Sequence, residues 1–375
     1  MFFEQGPIRP PSEAESLLVR FTRNCPWNRC DFCSTYKGDH FSRRTLAEIK
    51  ADIDSVCRIV DQVRERSRQM GYGGEITHPV LNDIYQGGGY QFIHVASWLY
   101  RGGGTVFIQD ANSLVMKTSE LVEALRYLKE KLPTVERITS YARSQTLKRK
   151  SLQEMVEIGG AGLNRIHVGM ESGSDAVLKY MNKGATSADH IEGGRRVVEA
   201  GISLSEYVLL GLGGSLWPEE HYLETARVLN EINPHFIRMR TLAVIEGTPL
   251  YDKLARGEFQ EQAEDGIVAG ERLLIERLQG IGSEVVSDHM LNLLEEVRGR
   301  LPEHKPGMLA VIDRYLALPE RERINFRLGK RSGLYRRLDD LKDPARHARV
   351  EAAAKRLAEE GRLNGTISSL RSGMI

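Results

Sequence analysis

The sequence has no excess of charge of either sign: 52 lysines and arginines stand against 51 aspartates and glutamates. No global field draws such a chain to a polyanion, so net charge gives nucleic-acid binding no support. It also lacks any uninterrupted apolar stretch of membrane-spanning length, and residues 1–11 lack the basic-then-apolar order of a secretory signal. The expectation is a cytoplasmic protein without a membrane partner, in a reducing compartment where thiols stay free. What remains, 41% hydrophobic and 27% charged residues, is ordinary for a folded globular chain. At 375 residues it is long enough for one large barrel and an accessory domain.

Cysteine is scarce, with four in the chain, yet three of them fall within nine residues: Cys25, Cys30 and Cys33 in the stretch Arg23-Asn24-Cys25-Pro26-Trp27-Asn28-Arg29-Cys30-Asp31-Phe32-Cys33. Thiolates are ligands for soft metals and iron-sulfur clusters, and Arg23 and Arg29 are expected to favour the thiolate. A closed zinc site or a ferredoxin-type cluster takes four protein ligands, whereas the fourth cysteine, Cys57, lies twenty-four residues on in an apparent helix. One metal position is therefore expected to be open. The alternative is a zinc knuckle completed by His40 or Cys57, in a binding module without catalysis.

Ser16-Leu17-Leu18-Val19-Arg20-Phe21-Thr22 reads as a short strand that delivers the cysteines to its C-terminal end. Leu46, Ile49, Ile53, Val56, Ile59, Val60 and Val63 recur every three or four residues, which predicts a helix to about Met70. The long connection 71–104 has glycine hinges and one short helix expected from Tyr90 to Arg101; it reads equally as a lid or a packed insertion. Strand patterns follow at Thr105–Gln109, Arg137–Ala142, Arg165–Met170, Ser203–Leu210 and Phe236–Leu242, separated by helical ones. Alternation of apolar strands with helices implies α/β class with a parallel sheet, in six units, and periodicity alone would also allow an eight-strand barrel or a doubly wound sheet. Beyond Gly257 the chain turns to charged helices, expected at Ala269–Leu278, Met290–Arg300, Lys305–Leu318 and Ala345–Gly361. The basic run 321–337 reads as solvated surface, or as a cradle for phosphate or carboxylates.

The cysteine stretch, with aromatic Phe32 before its last cysteine, resembles the cluster motif of the radical S-adenosylmethionine (radical SAM) superfamily, although its CxxxxCxxC spacing is one residue longer than the common CxxxCxxC. Further on, Gly169-Met170-Glu171-Ser172-Gly173-Ser174-Asp175 and Arg238-Met239-Arg240-Thr241-Leu242 with Gly247-Thr248-Pro249-Leu250 resemble radical SAM proteins related to the Elongator catalytic subunit, the methylthiotransferases and oxygen-independent coproporphyrinogen oxidase. The resemblance implies a partial (β/α)6 TIM-like barrel over 15–256, with 1–14 as a lead-in and 257–375 as a helical C-terminal domain. It implies a 4Fe-4S cluster on Cys25, Cys30 and Cys33, whose open iron is chelated by S-adenosylmethionine. Cofactor contacts implied at the strand ends are Asp110, Asn112, Arg143, Glu171, Ser172, Gly213, Gly214 and Arg240. A ferredoxin- or flavodoxin-type electron donor is the implied partner.

The sequence lacks a cobalamin-binding Asp-x-His-x-x-Gly segment, a second cysteine cluster, and any stretch resembling an acetyltransferase or a small RNA-binding barrel after the core. Those absences leave a single-cluster enzyme acting on a small or medium-sized organic molecule, with tRNA modification as the alternative. The catalytic residues expected for the substrate are His289 and Asp288, in Val285-Val286-Ser287-Asp288-His289-Met290-Leu291-Asn292, with Asn292 beside them. The bland account of this segment is helix capping by Ser287 or Asp288.

Overall fold

The computed structural model describes residues 2–373. The chain packs as two units. One holds the residues up to Asn28 together with Thr35–Val168 and Arg196–Leu204; the other holds Arg29–Ser34, Gly169–Arg195 and the residues from Ser205 on.

In the first unit, strand β1 (Leu17–Arg20) is followed by a two-residue antiparallel pair, β2 (Thr22–Arg23) and β3 (Ser42–Arg43), which brackets the start of the cysteine loop. Parallel pairing then runs β1 to β4 (Thr105–Gln109), β4 to β5 (Arg137–Ala142) and β5 to β6 (Leu163–Glu171). The helix Leu46–Gln69 starts where Thr45 and Glu48 form a reciprocal capping box, and it buries Ile49, Ile53, Val56, Ile59, Val60 and Val63. That is the face read from periodicity, each such side chain contributing about 1.5–3 kcal/mol on burial.

The connection 71–104 holds two helices, His78–Gly87 and Tyr90–Tyr100, where one was expected. The missed helix buries Val80, Leu81 and Ile84, and it has Pro79 in its first turn, a position that suits proline because the N–H there is unpaired anyway. Three apolar positions in ten residues make too short a period to stand out among glycines. The insertion is thus packed structure: Trp98 is buried and its indole N–H donates to the carbonyl of Thr105 at 2.8 Å.

In the second unit, β7 (Ser203–Leu210, its first two residues in the first unit) pairs in parallel with β8 (Phe236–Thr241), and β8 with β9 (Glu284–Val286). β10 (Gly299–Arg300) closes antiparallel on β9. The six expected parallel strands are therefore joined by a seventh, β9, and an antiparallel edge. The alternation of mostly parallel strands with helices is the α/β class that the sequence implied.

The helix expected over Met290–Arg300 does not form, and the chain there is a loop entering β10. Leu291, Leu293, Leu294 and Val297 are buried as the pattern suggested, but Asn292 lies buried among them. Its amide donates to the Met239 carbonyl at 2.8 Å and to Ser287 Oγ at 2.9 Å, while its oxygen accepts from Thr241 Oγ1 at 3.0 Å. Tertiary hydrogen bonds thus override local helix propensity.

The basic run lies in and just beyond the helix Glu320–Arg331, and most of its charges inside that helix are matched. Arg323 and Arg327 meet Asp265 at 3.0 and 3.7 Å, Lys330 meets Glu295 at 2.5 Å, Arg331 meets Glu264, and Arg321 meets Glu351. These cations serve internal pairs, so neither the solvated-surface nor the phosphate-cradle account describes Lys330 and Arg331, which are buried.

Glu271, buried in the helix Glu264–Arg277, has one carboxylate oxygen without a partner among the described residues, and burial pushes its carboxyl up to about 8. An unfolded glutamate ionises near about 4.3. The proton is therefore held by the folded state and lost by the unfolded one, so stability falls as pH rises from there through about 8. Glu271→Gln is expected to raise the melting temperature, more at pH 8 than at pH 5. Equal shifts at both values would mean that the carboxyl is solvated.

Candidate active site

Cys25 sits between two asparagines in left-handed conformation, Asn24 (φ 66°) and Asn28 (φ 44°), a region asparagine tolerates better than most residues. The loop is tied by its own polar groups. Asn28 N–H donates to Cys25 Sγ at 3.3 Å, the Asn28 amide donates to the carbonyls of Tyr36 and Asp39, and Asn24 donates to the His40 carbonyl at 2.7 Å. Arg23 is committed elsewhere: its guanidinium donates to Glu4 at 2.7 Å and to Glu48 at 3.1 Å. Its expected role of stabilising the thiolates is to that extent already balanced by carboxylates.

Also in the first unit, Asp110 ends β4 with φ 71° and is fully buried. It pairs with Arg20 at 2.5 Å, and burial raises its carboxyl's pKa against the opposing pull of Arg20. Buried Asn112 accepts from Arg143 N–H at 3.2 Å and donates to Thr146 Oγ1 at 2.8 Å. Both side chains thus hold the strand ends together. Arg143 places its guanidinium 5.0 Å from the ring centre of Trp27, inside the cysteine stretch.

In the second unit, the segment carrying Cys30 and Cys33 is anchored through Asp31. Its N–H donates to the Met181 carbonyl, its carbonyl accepts from Leu250 N–H, and its buried carboxylate pairs with Lys253 at 2.7 Å. Glu171, at the end of β6 with φ 68°, pairs with Lys183 at 3.1 Å, and the ammonium of Lys183 also stands 5.7 Å from the Phe32 ring centre. Ser172 is buried, bonded to His221 Nδ1 at 2.8 Å, and so builds the turn into the next helix. The space beside Gly213 and Gly214 is filled by the chain itself: a Cβ there would meet the Trp217 carbonyl at 2.5 Å or the Phe259 ring at 2.5 Å. The close approach that these glycines permit is made by neighbouring protein.

Arg238 and Arg240 lie two apart on β8 and so on one face. Arg238 donates to Ser205 Oγ at 3.2 Å and pairs with Asp288 at 3.3 Å, while Arg240 stacks 4.6 Å from the Tyr207 ring centre. His289 is half-buried, and burial followed by the charge of Arg240 pulls its pKa down to about 4. No helix follows Ser287 or Asp288, so the capping account has nothing to cap, and Asn292 is consumed by β8 as described.

Sequence reasoning assigned no role to Lys183 or Glu206. Glu206 is the single acid in the apolar strand β7. It is fully buried with neither oxygen partnered among the described residues, and burial together with the charge of Glu171 raises its pKa well above the usual range. An acid inside an apolar strand run was the available signal.

The donor chemistry suits an iron-sulfur cluster. Cys25, Cys30 and Cys33 are free thiols, each partly exposed, with no disulfide. Cys57 points to the Lys131 carbonyl at 3.7 Å, and burial raises its pKa, which disfavours a ligand. Among the described residues no three histidine, cysteine or carboxylate side chains are drawn together as a ready metal site. No helix among the described residues is long and apolar enough to cross a membrane.

Residues 79–229 match the model of the Radical SAM superfamily. Over 104 residues the chain is 28% identical to an uncharacterized protein of Methanocaldococcus jannaschii, covering 28% of this chain and 32% of that one. It is 25% identical over 117 residues to the tRNA uridine(34) acetyltransferase of Methanocaldococcus infernus, covering 31% and 21%. It is 32% identical over 133 residues to the tRNA-2-methylthio-N(6)-dimethylallyladenosine synthase of Syntrophus aciditrophicus, covering 33% and 27%. The chain spans about a third or less of the length of these relatives. A crystal structure of methylornithine synthase aligns with TM-score 0.42 at 15% identity, over 74% of this chain and 67% of that one. Over residues 79–229 the chain is thus similar to the radical SAM superfamily, whose cofactors are a 4Fe-4S cluster and S-adenosylmethionine.

Proposed function

We propose that Cys25, Cys30 and Cys33 hold the cluster and that the enzyme acts on a small or medium-sized organic molecule. The observation that carries this reading is the set of three free thiols within nine residues, none of them in a disulfide, upstream of the matched domain. Bound there, the cluster would supply the electron for reductive cleavage of S-adenosylmethionine to the 5′-deoxyadenosyl radical, which takes a hydrogen atom from the substrate. The chain's own residues bind and orient. Arg143 offers a fork for the methionine carboxylate, and Glu171 offers acceptors for the ribose hydroxyls or the amino group. To do so Glu171 exchanges its contact with Lys183, leaving the ammonium against Phe32. Asn112 supports Arg143 from behind by accepting from its backbone N–H, while Asp110 and Ser172 are held by Arg20 and His221. A small electron-transfer protein of ferredoxin or flavodoxin type would supply the reductant.

His289, with a pKa near 4, is neutral at pH 7 and therefore a proton acceptor in this reading, with Asp288 held beside it by Arg238. Glu171→Ala and Arg143→Ala are expected to retain iron and to weaken S-adenosylmethionine binding roughly ten- to a hundredfold, the loss of one charge-assisted hydrogen bond. Equilibrium binding to the reconstituted enzyme checks this, and wild-type affinity in both variants would place the cofactor elsewhere.

A tRNA substrate is the second reading, favoured by the tRNA-modifying names of two relatives. Against it, basic residues of the helix Glu320–Arg331 are matched internally. Total tRNA that stimulates 5′-deoxyadenosine formation severalfold would decide for it.

A further inference from the structure

We propose that Arg240 and His289 form a receptor for a carboxylate group of the substrate. The proposal rests on the radical SAM reading of the chain and names the substrate class that this reading leaves open. Four side chains define the place. In the β7–β8 register Tyr207 lies opposite Arg238, so Ser205, Tyr207, Arg238 and Arg240 share one face of the two strands. Arg238 is fully used, by Ser205 Oγ and by the carboxylate of Asp288.

Arg240 is different. Its guanidinium has no hydrogen bond or ion pair with any described residue, and its one contact of note is the face of Tyr207 at 4.6 Å. A half-buried guanidinium held by a ring and facing no anion has given up hydration without gaining a partner. The neighbouring cation on the strand, Arg238, by contrast has its carboxylate in Asp288.

His289 supplies the second donor. Its Nδ1 is buried and has no partner among the described residues. The ring lies within electrostatic reach of Arg240, which together with burial keeps it neutral. A neutral imidazole with its proton on Nδ1 donates one hydrogen bond without adding charge. One guanidinium fork and one neutral N–H match a carboxylate group in planarity and in number of donors, the fork meeting its two oxygens side by side. The loop that carries His289 is fixed directly after it, by Asn292 to β8 and by Arg331, which donates to the carbonyls of Met290 and Leu291, and directly before it by the pairing of Asp288 with Arg238.

The test uses the full, cluster-reconstituted chain and malonate as the probe, with malonamide as its uncharged counterpart, followed by titration calorimetry. Malonate is expected to bind saturably at roughly millimolar concentration, equally well with and without S-adenosylmethionine, while malonamide does not bind. Arg240→Gln and His289→Phe should each weaken malonate at least tenfold, and Arg240→Lys, which keeps the charge without the fork, should fall between. Absence of saturable binding, or binding that Arg240→Gln leaves unchanged, would overturn the proposal. Competition by S-adenosylmethionine would also overturn it, because Arg240 would then serve the cofactor's own carboxylate. Iron content and 5′-deoxyadenosine release are measured on the same preparations. If those fail while malonate still binds through Arg240, the radical reading falls and the receptor stands.

Discussion

Cys25→Ala, Cys30→Ala and Cys33→Ala are each expected to lose the bound cluster and all 5′-deoxyadenosine formation, while Cys57→Ala keeps both. Anaerobic reconstitution of the wild-type chain should give about four irons, the content of the 4Fe-4S cluster implied by three thiolates and an open position. The contrast between the cysteines follows from their surroundings. Cys25 is held in a turn where a backbone N–H already points at its sulfur, as it would at a thiolate, and Cys30 and Cys33 share a segment fixed at Asp31. Cys57 sits on a helix with its thiol against a carbonyl, an environment that favours the protonated form. Stoichiometric zinc without iron, or a Cys57→Ala variant that loses iron, would end the assignment. Because the matched domain begins only at residue 79, this experiment tests the cysteine stretch independently of that match.

Arg331→Met is expected to be the most destabilising single substitution away from the cluster, at about 3–5 kcal/mol, the usual cost of stranding one member of a buried ion pair. Arg331 is 3% exposed and Glu264 9%, and Arg331 Nε donates to Glu264 Oε1 at 2.9 Å. The same guanidinium holds the Leu291 carbonyl at 3.0 Å, so the loss falls on the loop beside His289 as well. A lower urea midpoint that Glu264→Gln partly restores in the double variant identifies the stranded carboxylate as the cause. A midpoint unchanged by Arg331→Met would mean that water reaches Glu264.

The parts of this molecule that were legible in the sequence are those governed by local period and chain order. The face of the helix Leu46–Gln69, the successive apolar strands and the cysteine spacing each depend on residues close in sequence. What escaped depends on partners far away. Leu291, Leu293, Leu294 and Val297 carry a plausible helical period, but Asn292 bonds to Met239 and Thr241, some fifty residues back. The basic run resembles an open surface until Asp265, Glu264 and Glu295 are found against it. Asp110 reads as a free strand-end carboxylate, and only the fold reveals that Arg20, ninety residues earlier, occupies it.

The first residues of the chain read as a lead-in, yet they behave as a clasp. Phe3 is fully buried, Gly6 exchanges hydrogen bonds with Gln109, and the Glu4 carboxylate gathers Arg20, Arg23 and Arg44. For anyone preparing the protein this sets a rule about trimming. A protease cut after Gly6 would release Glu4 and leave three arginines without their shared counter-ion, one of them two residues from Cys25. Such a clipped preparation would still migrate near full length on a gel, while that arginine, Arg23, would keep only Glu48 of its two carboxylate partners.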